Sequence, residues 1–283
     1  MILRRKKKVV LAVIFILLLA FFSWVIWANF ALEANEYTIK SDKISDGFDG
    51  FRIAHISDLH NSRLGSENGK LLKKLSDTNP DIIAITGDLI DSRRTNISLA
   101  LEFTKEAVKI APCYFVSGNH ESRISEYNYL ESELEKQGVV VLDNKTVEIE
   151  KSGEKLALIG IKDPSFKYEP EFRDIDRFLR NATQQLQDGT FTVILSHRPE
   201  LFDIYVKNGT DLSLSGHLHG GQIRLPFIGG LLSPDPSLFP EYDAGLFTEN
   251  TTNMIVSRGI GNSAIPLRFN NRPEIIVVTL AKA

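Results

Sequence analysis

The chain has 283 residues, 43% of them hydrophobic and 24% charged, and a formal net charge of −3. That composition suits one large globular domain with an appendage, and it excludes a nucleic-acid surface, because nothing strongly basic lies beyond the first eight residues. Cys113 is the only cysteine, so the fold uses no intrachain disulfide; its setting, Pro112-Cys113-Tyr114-Phe115-Val116, reads as a buried strand.

Arg4-Arg5-Lys6-Lys7-Lys8 precedes an uncharged run of 22 residues, Val9 to Phe30. At 1.5 Å per residue the run spans about 33 Å, against a bilayer hydrocarbon core of about 30 Å. Trp24 and Trp27 suit the far interfacial belt, and the basic flank keeps the N-terminus in the cytoplasm and exports the rest. A cleaved signal peptide has the same charge order, but the run is long for one and no small-x-small site follows it. The expected layout is a cytoplasmic basic segment (1–8), a single-pass cell-membrane anchor (9–30), a polar tether with a first short strand near Tyr37-Thr38-Ile39 (31–50), and one extracytoplasmic domain (51–283).

Phe51 to Ser57 reads as a buried strand that ends in Asp58-Leu59-His60. A helical pattern follows over Ser66 to Thr78, with Leu71, Leu72 and Leu75 on one face. The strand Asp81 to Thr86 runs into Gly87-Asp88-Leu89-Ile90-Asp91; a helix over Ile97 to Ile110 leads to the strand Cys113 to Ser117 and Gly118-Asn119-His120-Glu121. This β-α-β-α-β order predicts a largely parallel sheet covered by helices. Beyond it the pattern predicts a helix (Glu126 to Gln137), a strand (Val139 to Leu142), a hairpin (Lys145 to Ile161), a helix (Glu171 to Leu186), and strands at Phe191 to Leu195 and Leu212 to Leu214. The tail from Met254 to Leu280 is strand-rich and is expected to complete a second sheet.

Asp58 to Asp88 is 30 residues and Asp88 to Asn119 is 31, each about one βαβ unit, so these side chains fall in register at the carboxyl edge of the sheet, where open α/β sheets bind ligands. The strand-end set is Asp58, His60, Asp88, Asn119, His120, His197, His217 and His219. It contains five of the six histidines; the sixth, His55, lies inside the first strand and reads as a packing residue. Isolated, the pair in Gly216-His217-Leu218-His219 reads equally well as a turn or as a metal clamp.

In these positions the chain resembles the calcineurin-like metallophosphoesterase family, whose blocks D-x-H, G-D-x-x-D, G-N-H-E/D, H and G-H-x-H occur here in that order. The resemblance covers roughly residues 51–280 and extends to the membrane-anchored bacterial YkuE/YaeI-like phosphodiesterase branch. It implies an α/β fold, a four-layer αββα sandwich of two mixed sheets, behind an N-terminal transmembrane helix. It further implies two divalent metal ions (Mn, Fe or Zn). Asp58, His60 and His219 would hold one ion and Asn119, His197 and His217 the other, with Asp88 bridging. A hydroxide bridging the ions would attack a phosphoester in line, and His120 would protonate the leaving oxygen. Asp91 would orient His120, or else cap a helix. Such a donor set, free of cysteine, suits transition metals better than Ca²⁺ or a structural zinc.

Gly220 to Pro234 forms an apolar Gly/Pro-rich loop after the last ligand, and with 257–262 and 266–269 it matches the anchored branch. That branch implies a lipid-linked or envelope diester such as UDP-2,3-diacylglucosamine; the plain alternative is a packed lid with no lipid contact. Arg224, Arg258 and Arg268 are candidates for a second phosphate. A phosphomonoesterase or phosphoprotein phosphatase is the rival activity, and a non-catalytic metal-binding scaffold is a third reading. No nucleic-acid partner is expected, and the sequence does not specify an oligomeric state.

Overall fold

The computed structural model describes residues 2–166, 174–232, 238–262 and 267–283, with side chains from Lys6 onward. The first sheet takes its parallel centre from β2 (Arg52–Ile56), β3 (Ile82–Thr86), β4 (Cys113–Val116) and β5 (Val140–Val141). Short apolar runs flanked by glycine and polar turns give these strands, and β3 is buried along its whole length. The crossovers between them are α2 (Gly69–Asp77), α3 (Ile97–Ala107) and α4 (Tyr127–Lys136). Leu71 and Leu75, Phe103, and Leu130 and Leu134 on these helices join Ile83, Ile85 and Phe115 in one apolar layer.

The second sheet is built on β7 (Glu154–Ile161), β8 (Phe191–Ser196) and β9 (Leu212–Ser215), again parallel, with β6 (Thr146–Lys151) antiparallel at one edge. Its other edge is β12 (Gly245–Glu249) and β13 (Thr252–Val256). The helices α5 (Ile175–Gln184) and α6 (Phe202–Lys207) cover its outer face through Leu179, Phe202 and Tyr205. Between the sheets lies a third apolar layer, with Ile53, Ala84 and Val116 facing Leu158, Val193 and Leu214. Helix, sheet, sheet, helix: this is the four-layer αββα order. The first three residues expected in the helix at Glu171 lie outside the described residues, as do Ser233, Pro234 and Pro266 of the loops singled out above.

One tail strand goes elsewhere than expected. β14 (Glu274–Lys282) does not join the second sheet; it enters the first, antiparallel to β2 and parallel to β1 (Glu33–Ser41). A continuous apolar run signals burial on both faces but not which sheet provides it. Residues 31–50 are likewise part of the domain, since β1 pairs along its whole length with β14, and Ile39, Ile44 and Phe48 are buried. The helix α1 (Ile2–Phe30) precedes β1, and its Lys6–Phe30 stretch is long and apolar enough to cross a membrane.

Parallel strands put the loops after β2, β3 and β4 on one edge and those after β8 and β9 on the facing edge. Backbone bonds fix the loops to one another: Asp58 N donates to Gly87 O (3.1 Å), His60 N to Asp88 O (2.9 Å), and Gly216 N to His197 O (3.3 Å). Across the sheets, His197 Nδ1 lies 2.8 Å from Thr86 O.

Candidate metal centre

Asp58, His60, Asp88, His217 and His219 all have positive φ, between 46° and 71°. Left-handed backbone is uncommon for residues with a Cβ and clusters where the surroundings force it, usually at functional sites. Here the forcing is local. After each strand the chain turns sharply back, and the left-handed residue swings its side chain over the strand end. Close packing then demands glycine beside it. A Cβ on Gly216 would collide with Ser57 Oγ and Asp58 Oδ2, and one on Gly118 with Asp88 Oδ1. Gly216 thus serves close approach rather than a bend, since its own φ is not positive.

The predicted ligands converge in two groups. In the first, His60 Nε2 and His219 Nε2 face each other at 3.0 Å, with Asp58 Oδ1 3.7 Å and 3.3 Å from them. In the second, His197 Nε2 lies 3.3 Å from Asp88 Oδ2 and 3.2 Å from Asn119 Oδ1. Thr86 O accepts the proton of His197 Nδ1, which turns Nε2 toward these oxygens. Asp88 joins the groups with a single oxygen: Oδ2 is also 3.4 Å from His60 Nε2, while Oδ1 accepts from His120 N (2.8 Å). Three triads of possible ligands, Asp58-His60-His219, Asp58-Asp88-His197 and His60-Asp91-His120, are buried and have their donor atoms within 4.8 Å of one another.

His217 is buried against the same cluster, its ring 5.0 Å from that of His197, but its Nε2 is engaged by Arg198 Nη1 at 2.8 Å. Arg198 is in turn gripped by Asp163 (Nε–Oδ2 2.6 Å) and Ser165 (2.9 Å). Glu121 clamps the backbone beneath the centre, accepting from Asp88 N and Gly118 N (2.8 Å each) and from Ile90 N (3.2 Å). Sequence reading missed Arg198 and Asp163, and gave Glu121 no role beyond its place in a motif. The SHRP and GNHE strings were the available signal.

Burial alone would raise the Asp58 and Asp88 carboxyls, but the imidazoles around them outweigh it and hold both well below the usual range. His197 shows the reverse balance: burial opposes its charge, yet Asp88 and Asp58 push it up to about 10. Burial drives His219 down, and His120 down to about 4. Burial and the neighbouring Asp88 push Glu121 up to about 7. Two buried, ionised carboxylates set among imidazole nitrogens are a donor set that divalent transition ions satisfy, while the Nε2 of His217 faces Arg198 instead.

His120 lies beside His60, ring centroids 4.5 Å apart. Its Nδ1 accepts from Ser92 N at 2.9 Å, so the neutral ring carries its proton on Nε2. Asp91 Oδ1 is farther, at 3.4 Å, and its carboxylate is taken up by Arg93 (Nε–Oδ1 2.9 Å, Nη2–Oδ2 3.2 Å). A cavity of about 370 Å³ opens beside the cluster at His60, lined also by Asn61, Asp91, Arg94, Asn96 and Asn262. None of the three candidate arginines lines it. Arg224 pairs with Asp243 (2.9 Å), Arg258 with Glu33 and Glu274, and Arg268 is buried with bonds to Arg258 O (2.7 Å), Gly261 O and Asn262 Oδ1 (3.1 Å). Arg94 does line it and is exposed, with no side-chain partner among the described residues.

A calcineurin-like phosphoesterase profile matches residues 51–221. The "Uncharacterized metallophosphoesterase YkuE" of Bacillus subtilis (strain 168) is 31% identical over 259 residues, covering 88% of this chain and 85% of that protein. The "Phosphodiesterase YaeI" of Escherichia coli (strain K12) is 28% identical over 240 residues, covering 81% and 82%. A "Transmembrane protein with metallophosphoesterase domain" of Danio rerio is 26% identical over 292 residues, covering 98% of this chain and 63% of its own length.

Proposed function

The chain belongs to the calcineurin-like phosphoesterase family, a family of metal-dependent phosphoric ester hydrolases with a dimetal centre, and we propose that it is a membrane-anchored phosphodiesterase. The observation that carries this reading is the convergence of Asp58, His60, Asp88, His197 and His219 at the carboxyl ends of strands from both sheets. Asp58, His60 and His219 would hold one divalent ion and Asn119, His197 and His217 the other, with the Asp88 carboxylate shared between them. Mn, Fe and Zn all suit this donor set. When bound, such ions polarise a phosphoryl oxygen and lower the pKa of water to about 7.

The protein's own groups do the rest. As general acid His120 would act as the imidazolium, its Nδ1–H facing Asp91 Oδ1 at 3.4 Å, and on giving its Nε2 proton to the leaving oxygen would return to the neutral ring whose Nδ1 accepts from Ser92 N. Arg94, rather than Arg224, Arg258 or Arg268, meets a further anionic group of the substrate at the cavity mouth. Asn61, Asn96 and Asn262 add amides that suit a polar head. A lipid-linked or envelope diester follows from the anchor and from the apolar loop after Gly221. The basic flank of α1 supports an extracytoplasmic domain, which protease digestion of sealed right-side-out vesicles tests; a protected domain contradicts it.

The full chain in detergent, supplied with Mn²⁺, should hydrolyse bis-p-nitrophenyl phosphate and a nucleotide-linked diacyl sugar faster than p-nitrophenyl phosphate. Turnover of the monoester alone would shift the assignment to a phosphomonoesterase.

A further inference from the structure

The end of α1 is built into the domain. Val25 and Ala28 are buried, and Asn29 forms a two-way amide clamp, donating to Arg268 O (2.8 Å) and accepting from Arg268 N (2.7 Å). Phe269 packs its ring against Phe21 (6.0 Å) and edge-on to Trp24 (5.5 Å), and the Arg272 guanidinium lies 5.0 Å over Trp27. At 1.5 Å rise, Trp24 sits about 4.5 Å and Phe21 about 9 Å farther along the helix toward the membrane than Trp27. If Trp27 marks the interfacial belt, Phe269 is already at the depth where headgroups meet acyl chains.

The loops that spring from Phe269 carry the domain's exposed apolar surface. Arg224 N donates to Phe269 O (3.0 Å) and Phe269 N to Gln222 O (3.3 Å), so the hairpin of β10 (Arg224–Leu225) and β11 (Gly229–Gly230) starts at that point. Leu231 N bonds to Ile223 O (2.8 Å) and Phe239 N to Leu231 O (3.1 Å), which ties the next turn to the same ladder. On these segments Phe227 is 108% exposed, Ile228 60%, Leu238 64%, Phe239 57% and Leu267 47%. Outside α1, only Tyr129, Val140 and Leu246 are comparable among the described residues. Scattered exposed apolar side chains are normal, but five on segments linked to Phe269, which packs on α1, are not.

We infer that Phe227, Ile228, Leu238, Phe239 and Leu267 form a second membrane contact. They insert into the headgroup–acyl boundary of the leaflet from which α1 emerges. The occupant is the lipid surface itself. Continuity with the helix argues for it, since the segment that carries these loops is clamped to α1 by Asn29 and ring packing. The depth of about 5–10 Å reached by interfacial apolar faces matches the span from Trp27 to Phe21. The consequence falls on the metal centre. Asn262, on the cavity rim, accepts from Arg268 Nε (3.1 Å), and Arg268 Nη2 lies 3.4 Å from His219 Nδ1. The rim is therefore tied through Arg268 to its neighbours Leu267 and Phe269, and the cavity opens beside the plane that holds lipid headgroups. This inference rests on α1 spanning a bilayer.

The test reads depth rather than catalysis. The full chain is reconstituted in nanodiscs with a bimane label at Phe227→Cys or Leu238→Cys, and separately at Leu18→Cys in the helix and Tyr129→Cys on α4. Cys113 is buried, with its thiol pushed up to about 12, so it does not compete for the label. Lipids brominated high on the acyl chain should cut emission at 227 and 238 by about twofold, as interfacial burial requires. Iodide should quench 129 and spare both. If Leu18 is quenched by brominated lipid while 227 and 238 follow 129, the docking surface is overturned and the anchor stands. If Leu18 is not quenched either, anchor and docking surface fall together.

Discussion

At Asp88 two demands meet: one oxygen faces imidazoles of both halves of the centre, and the other fixes the loop carrying His120. Neighbouring imidazoles keep this carboxyl ionised despite burial, so the site holds two carboxylates, one charge offset by His197, before any cation arrives. His120 is set up differently. Its neighbours include the Ser92 amide, which assigns the tautomer, and its Nε2–H is the group left to act. His120→Ala should therefore retain its metal content yet lose about 10²–10⁴-fold in rate, mostly on diesters with poor leaving groups. An equal loss on p-nitrophenyl esters and alkyl diesters, measured side by side, would remove the general-acid role.

At the scale of elements, the βαβ spacing of 30 and 31 residues was enough to align Asp58, Asp88 and Asn119, because parallel strands and short loops leave few other arrangements. His197 and His219 were legible for the same reason, as strand-end residues of the second sheet. Three things were not. The partner sheet of β14 was hidden, since an apolar run names no neighbour. The true partners of Arg224, Arg258 and Arg268 lie as far off as Glu33, which local pattern does not reveal. The left-handed backbone at the ligands was also unreadable, because Asp and His only mildly favour it. Nor does the sequence show that Gly216's lack of a Cβ lets β9's end pass against Ser57 and Asp58. Gly216→Ala should accordingly lower stability by about 1–3 kcal/mol, the usual cost of overpacking, and weaken metal binding by pushing Asp58 aside. A variant with unchanged melting temperature and metal titration would show that the strand ends have more room than the structure indicates.

For the whole molecule, buried histidines couple stability to pH. Burial lowers His55 to about 3 and His120 to about 4, and lowers His219 as well. Their folded-state values lie below the unfolded value of about 6.5, so their contribution is present above that pH and lost as pH falls toward the folded values. His55 alone, inside β2 with Nε2 2.7 Å from Thr86 Oγ1, should cost about 2 kcal/mol between pH 7 and 5. His197 works the other way, its contribution fading only as pH rises toward about 10. Thermal melts of the chelated chain should thus show a falling transition temperature from pH 7 to 5; a flat profile would mean that these imidazoles protonate within the fold. The anchor adds a second organising constraint, because α1 is joined by Asn29 and Phe269 to the segment that positions His219.

The central claim is that Asp58, Asp88 and the strand-end histidines form one two-ion hydrolytic centre. Metal analysis and diester hydrolysis measured on the same preparations, wild type against Asp88→Asn, test it most directly. Wild type should carry two divalent ions per chain and lose hydrolysis when they are stripped, and Asp88→Asn should lose both ions and rate. Full activity in the stripped chain, or an Asp88→Asn variant that keeps two ions and its rate, would contradict it.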